Sequence, residues 1–356
     1  MVPAPELSII IPVLNERAAL APCWENLSAQ RGVVFEVLFV DGGSSDGTCE
    51  WLQALAQADP DRVRLLVGER GRGRQLNLGA EAAAGAWLLF LHVDSRLTRP
   101  EQLAQALAGL RQACDDAAHR RAAGHFALRF AEPKTESALA YYFHETKARL
   151  DRPGCTHGDQ GFLLSREFFR QVGPFEEHWP VLEDTRLAER VRQAGRWLLL
   201  PGELLTSPRR FEVEGMRQRR ILNAMIMNFG ALEWMPFFEQ LPGLYRTQDR
   251  TRRLQLRSVF HRLEELLSSL PRSLRWSLWY RTGGFVRSQG WHAALALDVR
   301  RQFRRGLAVG EGATPWLRLW DRVLNPLTDH PPARLLTALL VRCWFFWYRR
   351  WILPRE

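Results

Sequence analysis

Four short apolar runs constrain this chain more than any other feature. They are Leu7–Val13, 34–40, Val63–Val67 and 87–93, rich in Val, Ile, Leu and Phe, and they recur at intervals of roughly 25 to 30 residues. Each has the length of a strand, and the stretches between them carry apolar residues at helical spacing, as at Leu52, Leu55 and Ala56. Runs that are apolar on both faces and alternate with helices predict a mostly parallel sheet covered on each side. The expectation is a doubly wound α/β domain whose ligand site lies beyond the carboxyl ends of the strands.

The residues that end each run are therefore the first candidates for chemistry. The first run ends in Pro12-Val13-Leu14-Asn15-Glu16, the second in Asp41-Gly42-Gly43-Ser44-Ser45-Asp46-Gly47-Thr48 and the fourth in His92-Val93-Asp94. After the third comes Gly71-Arg72-Gly73-Arg74-Gln75-Leu76-Asn77-Leu78-Gly79. No G-x-G-x-x-G follows the first run, which argues against a dinucleotide-dependent hydride transfer. Further along, the pattern predicts a helix over 101–111, a strand over 124–130 and a helix over 165–172. A polar cluster, His157-Gly158-Asp159-Gln160-Gly161, lies between the last two, and Glu183-Asp184 opens another helix running to about Ala194. From about Met216 the chain reads as helices, with Leu256, Val259, Phe260, Leu263, Leu266, Leu267 and Leu270 on one face. The boundary expected is a catalytic region over 1–215 and a helical region over 216–356.

Charge separates the same two regions. Residues 246–356 hold 21 Lys+Arg against 8 Asp+Glu, a balance of +13 within a chain whose net charge is +10, and eight of the fourteen tryptophans. An acidic partner is expected at that end. Five cysteines stand far apart with no C-x-x-C pair, which speaks against a zinc site or a disulfide framework. The first residues carry no basic stretch before a short apolar run, so no signal peptide is expected and the cytoplasm is the compartment predicted.

Each cluster has a chemical reading and a plain one. Asp41 can accept hydrogen bonds from a ribose or a base N–H, with Gly42 and Gly43 allowing close approach, or it can simply belong to a capped turn in which Ser44 or Ser45 caps the next helix. Arg72 and Arg74 can fork onto phosphate oxygens, or decorate a surface turn. In an extended strand end, His92 and Asp94 face the same side, where a hard divalent ion could bridge Asp94 to a diphosphate. Glu183 and Asp184 can take a proton from an attacking hydroxyl, or merely complement a helix dipole. Together, four such signals at successive element ends suit one anionic nucleotide and one nucleophile.

As an ordered set these residues resemble the inverting family 2 glycosyltransferases, which have a GT-A fold with a Rossmann-like, mostly parallel sheet. Ser8-Ile9-Ile10-Ile11-Pro12-Val13-Leu14-Asn15-Glu16 is similar to that family's opening strand, Val40-Asp41-Gly42-Gly43-Ser44-Ser45-Asp46-Gly47-Thr48 to its uridine-binding turn, Asn77-Leu78-Gly79 to its Asn-x-Gly, and Leu91-His92-Val93-Asp94 to its Asp-x-Asp strand. The pattern Gly-Arg-x-x-Gln-x-Asn-x-Gly with His-x-Asp looks closest to a bacterial subgroup called radical-SAM/selenodomain-associated transferases. Gly42 and His92 depart from the acidic residues usual at those positions. The resemblance implies a nucleotide-diphosphate sugar donor, UDP- or GDP-linked, held by Pro12, Asn15, Glu16, Asp41, Gly43, Arg72, Arg74, Asn77, His92 and Asp94. It implies Mn2+ or Mg2+ on Asp94 and His92, and a catalytic carboxylate at Asp184 beside Glu183. Asp159, Gln160, Arg209 and Arg210 would form the acceptor or diphosphate loop. A nucleotide-sugar-binding protein without turnover and a sugar nucleotidyltransferase remain the alternatives.

The segment 335–351 is apolar and aromatic but interrupted by Arg342, and short for a membrane span. Arginine beside tryptophan suits a helix lying in the headgroup region. The expectation is peripheral attachment to an anionic membrane surface and a lipid-linked or membrane-presented acceptor; the plain alternative is a helical subdomain that packs its own tryptophans. No nucleic-acid-binding motif accompanies the charge.

Overall fold

The computed structural model describes residues 4–115, 121–132, 135–246 and 253–353. They divide into two compact units, one made of 1–132 and 144–207 and the other of 133–143 and 208–356.

In the first unit, β1 (Leu7–Val13), α1 (Arg17–Ser28), β2 (Phe35–Asp41), α2 (Thr48–Ala58), β3 (Val63–Val67), α3 (Arg72–Ala82) and β4 (Trp87–Phe90) alternate as the periodicity predicts. A short β5 (Arg96–Leu97), α4 (Gln102–Asp115) and β6 (Ala122–Phe130) follow, then α5 (Ala138–Lys147), of which only 144–147 belong to this unit, β7 (Phe162–Ser165), α6 (Arg166–Val172), α7 (Glu183–Ala194) and β8 (Arg196–Thr206). The eight strands form one sheet in the order β3-β2-β1-β4-β7-β6-β8-β5. The first four pair in parallel, whereas β7 runs antiparallel to both β4 and β6. The sheet is therefore mixed but mostly parallel as expected, since β6 and β8 also pair in parallel, while β5 runs antiparallel to β8.

Alternation along β1 decides which core each residue enters. Leu7, Ile9, Ile11 and Val13 join one fully buried cluster with Leu20, Leu27 and Leu52 of α1 and α2. Ile10 joins the other, with Leu76 of α3, Phe168 of α6 and Leu187 of α7. Each such aliphatic side chain contributes about 1.5–3 kcal/mol of burial. Gly79 lets α3 approach β1 closely, because a Cβ there would lie 2.4 Å from Ile10 Cγ2.

The order β2-β1-β4 creates the opening at which a ligand site is expected. β4 pairs with β1 only as far as Phe90 opposite Ile10, while β1 continues beside β2 to Val13. Beyond Leu91 the chain leaves the sheet and turns, with Ser95 N–H bonded to His92 O at 3.2 Å. The expected strand over 87–93 thus stops three residues early. His92 and Asp94 are turn residues rather than alternate positions of an extended chain, so the same-face argument for them does not hold.

The second unit is helical: α8 (Arg209–Glu214), α9 (Met216–Ala231), α10 (Met235–Arg246), α11 (Leu256–Ser269), α12 (Arg272–Ser288) and α13 (Trp291–Arg304). Then come α14 (Pro315–Leu319), a π-helical stretch into α15 (Asn325–Thr328), and α16 (Pro331–Trp347). The predicted face of α11 is buried through Leu256, Val259, Phe260, Leu263 and Leu267. Gly283 on α12 lets α16 come so near that a Cβ would lie 2.4 Å from Arg334 O. Among the described residues no helix is long and apolar enough to cross a membrane. All five cysteines are free thiols.

Candidate active site

Because β7 is antiparallel to β4, its start lies beside the end of β4. The turn Gly158–Gln160 that precedes β7 is thereby carried to the carboxyl edge of the parallel strands. The amino end of α7 meets it there, with Gly158 N–H donating to Asp184 Oδ2 at 2.7 Å. Arg72, in the first turn of α3, supplies the cation. Its Nε lies 3.2 Å from Glu183 Oε1 and its Nη2 contacts His92 Nε2. A Cβ at Gly158 would lie 2.7 Å from Asp184 Oδ2 and 2.9 Å from Arg72 Nη2, so only glycine fits between them. A small cleft lined by Arg72, Leu91, His92, Gly158, Phe175 and Asp184 opens at this point.

Three carboxylates share the neighbourhood, and their environments push them apart. Burial raises Glu183 to about 7, helped by the charge of Asp184 and opposed by Arg72. Burial would also raise Asp184, but Arg72, His157 and the Gly158 amide outweigh it and hold that carboxyl below its ordinary range. Asp159 is pushed up to about 6 by burial and by Asp184, against the pull of Arg72 and Lys147, with Asp94 adding further repulsion. Asp184 is thus ionised at neutral pH, Asp159 largely so, and Glu183 is the reluctant one, a division of the kind that separates base from bystander. The backbone at this point is strained, since Leu182 before Glu183 has φ 74°, a left-handed conformation costly for a branched side chain.

Sequence reasoning missed two further members. His157 Nδ1 lies 3.0 Å from Thr185 Oγ1 and its Nε2 3.1 Å from Gly154 O, which fixes the ring behind Asp184. Burial and the charge of Lys147 push this imidazole down to about 4. Lys147, at the end of α5, is itself lowered by burial, with Cys155 and Asp159 as opposing influences. No local pattern marks Lys147 in the sequence. His157 belongs to a visible polar cluster but has no motif of its own.

At the neighbouring β2 edge, the expected nucleoside turn is built as a closed hydrogen-bond circuit. Asp41 Oδ2 accepts from the N–H of Gly43 at 3.1 Å and of Ser44 at 3.0 Å, and its Oδ1 from Ser44 Oγ. Asn15, at φ 55°, receives the Ser45 N–H on Oδ1 at 2.8 Å, while its own N–H goes to Ser44 Oγ at 2.8 Å. Gly43 at φ 88° makes this turn possible. Neither Ser44 nor Ser45 caps α2. The cap position is Gly47, and Asp46 just before it accepts from Thr48 N–H at 3.1 Å, while its other oxygen accepts from Arg17 N–H at the start of α1. Glu16 N–H is held by Thr48 Oγ1 at 3.0 Å, and Pro12 pairs with Val40 on β2.

Other expected ligand residues are committed to the interior or the surface. Arg72 and Arg74 stand on a helix, not on a surface turn. Arg74 pairs with Glu69 and lies 3.8 Å from Glu177. Asn77 bonds Phe175 O and Glu177 Oε1 through Nδ2 and receives Phe175 N–H on Oδ1, which fastens the 175–177 segment to α3. Gln160 spans His157 N–H, His125 Nδ1 and Ala148 O from a buried position. Gln75, the glutamine of the Gly-Arg-x-x-Gln-x-Asn-x-Gly pattern, ties Val13 O to Val40 O at 2.9 and 2.7 Å and so fixes the floor of the edge. Arg209 and Arg210 begin α8 in the second unit.

Residues 8–173 match the family model described as Glycosyl transferase family 2. The chain carries a family 2 glycosyltransferase domain. Its α/β sheet and helical C-terminal region agree with the GT-A fold expected. The chain is similar to a PGL/p-HBAD biosynthesis glycosyltransferase of Mycobacterium tuberculosis, 37% identical over 106 residues, which are 30% of this chain and 41% of that protein. It is also similar to the succinoglycan biosynthesis protein ExoO of Rhizobium meliloti, 36% identical over 102 residues, 28% of each chain. This chain thus spans well under half the length of either relative. Among solved structures, a mannosyltransferase from Pyrobaculum calidifontis in complex with GDP-Man and Mn2+ overlaps 98% of this chain and 88% of its own, with a TM-score of 0.49 and 17% identity.

Proposed function

We propose that the transferase domain moves a sugar from a nucleoside diphosphate, UDP- or GDP-linked, to an acceptor hydroxyl with inversion at the anomeric carbon. The observation that carries this reading is the ionised Asp184, oriented by the Gly158 amide and flanked by Arg72, at the carboxyl edge of the parallel strands. The acceptor oxygen forms its bond to the anomeric carbon as the bond from that carbon to the diphosphate oxygen breaks. The bonding pair leaves with the nucleoside diphosphate, and the acceptor proton passes to an oxygen of Asp184. Arg72 faces the departing charge, and His157 with Thr185 keeps Asp184 from rotating away.

The fold family implies a divalent ion. Asp94 is exposed and suits a hard cation that takes its remaining ligands from phosphate and water. His92 suits it less, because its Nε2 faces the Arg72 guanidinium. Among the described residues no three His, Cys, Asp or Glu side chains converge as a self-sufficient cage. Bound at Asp94, Mn2+ or Mg2+ would supply positive charge to the diphosphate.

Release of nucleoside diphosphate from a panel of sugar nucleotides, with Mn2+ and with Mg2+, tests the proposal. Asp184→Asn is expected to lower turnover about 10²–10⁴-fold while leaving donor binding intact, and NMR of the product should show the anomer opposite to the donor. Turnover within a few-fold of wild type, or release of pyrophosphate, would reject it.

We read the second unit as the part that meets an anionic membrane surface. Its excess of arginine and the outward Leu336, Leu340 and Trp347 of α16 support this. Co-sedimentation with anionic liposomes should fall sharply in Leu336→Glu/Leu340→Glu, and unchanged sedimentation would refute it.

A further inference from the structure

The second unit holds an open cavity of about 400 Å³ where α11, α12 and α16 meet, and its wall is unusual in carrying arginine and large aromatic side chains together. Arg272, Arg275 and Arg342 line it beside Trp276, Trp279 and Phe346. Its single acid, Glu264, is already bonded to Arg349. Arg275 donates to Leu270 O at 3.2 Å, but its Nε is buried without a partner. Arg342 rests on the Phe346 ring at 5.8 Å, and among the described residues no carboxylate pairs with it. The first turn of α12 borders the same space, and Pro271 before it provides no side-chain cap, so its amides add to the positive field.

An apolar track leaves this cavity. Leu335, Leu339, Arg342 and Phe346 follow one another at spacings of four, three and four, which puts them on one face of α16. Leu335 and Leu339 are exposed although apolar. A ligand held by the three guanidinium groups would thus have a hydrocarbon path beside it.

We propose that this cavity binds the head of an amphiphilic phosphate, a phosphate ester on a long apolar chain, with the head among Arg272, Arg275 and Arg342 and the chain along Leu339 and Leu335. The assignment stands on the second unit alone and does not depend on the transfer chemistry of the first. Guanidinium forks match phosphate oxygens, indole and phenyl walls exclude water from the ester, and the track takes the methylene groups.

Tryptophan fluorescence of the full chain, titrated with monomeric decyl phosphate, inorganic phosphate and decyl maltoside, tests this. Decyl phosphate should bind at least about tenfold more tightly than either of the others, since it alone engages both the cations and the track. Arg272→Gln/Arg342→Gln should cost at least about tenfold in decyl phosphate affinity with UDP or GDP binding by the first unit unchanged. The charge-preserving Arg272→Lys/Arg342→Lys should retain part of that affinity. Equal affinity for decyl maltoside would show a merely greasy groove, and equal affinity for inorganic phosphate a site for free anion; either overturns the proposal, as does an unaltered affinity in the Gln variant. Should the Gln variant fail to fold, the order of the three ligands on the wild type decides alone.

Discussion

Glu183 offers the most quantitative check on the electrostatics of the site. Its carboxyl is 4% exposed and is pushed from 4.5 to about 7 by burial and by the neighbouring Asp184, against the attraction of Arg72. Each tenfold change in proton affinity is worth about 1.4 kcal/mol, so the rise corresponds to on the order of 3 kcal/mol. The sign follows from which state holds the proton more firmly. The folded chain binds it more tightly than the unfolded one, so Glu183 favours folding fully below pH 4.5 and loses that contribution as the pH rises to about 7. Glu183→Gln keeps the shape and cannot ionise. It should therefore match wild type near pH 4.5, gain on it steadily up to about pH 7, and keep a constant advantage above. For a unit of this size the plateau amounts to roughly 6–12 °C in melting temperature. Scanning calorimetry of both proteins from pH 4.5 to 9 measures it. A Glu183→Gln chain that melts lower than wild type above pH 7, or by the same margin at every pH, would mean that Arg72 fully compensates the buried charge, and the assignment of Asp184 as the ionised member would lose its basis.

Three further outcomes follow from the packing and the buried imidazoles. His125 and His157 are both pushed down to about 4 by burial, so each contributes stability above pH 6.5 that is lost as the pH falls towards 4; the acid midpoint followed by circular dichroism should move lower in His125→Gln. Gly158→Ala would drive a methyl group against Asp184 and Arg72, and should cost far more in turnover than in melting temperature, measured side by side by nucleotide release and calorimetry. Gly79→Ala, whose new Cβ would fall 2.4 Å from Ile10, should lower urea stability by about 1–3 kcal/mol through overpacking, without changing the relative rates with different donors.

Much of the first unit was legible in the sequence, because its signals are local. Apolar runs of strand length, helical spacing between them and Glu183-Asp184 at a helix start all report on neighbours within a few residues, and α6, α7 and α11 appear where their periodicity puts them. The end of β4 was misread for a reason of the same kind in reverse. Leu91, His92 and Val93 continue an apolar pattern, but whether they stay in the sheet depends on a neighbouring strand to pair with, and β7 begins only at Phe162, opposite Phe90. Lys147 and His157 reach the site only because α5 and the segment before β7 fold back on it.

The sequence by itself determined the alternating α/β order, the edge of the sheet at which chemistry is expected, and the residue types available there. It could not decide which of those residues face a ligand. Asn77 and Gln160 carry the same amide whether it meets a nucleotide or a backbone carbonyl, and the carbonyl that Asn77 meets belongs to Phe175, 98 residues away. Only the tertiary structure brings that partner into place, and with it the distinction between side chains that build the edge and the few, Arg72, His92 and Asp184, that line the cleft there.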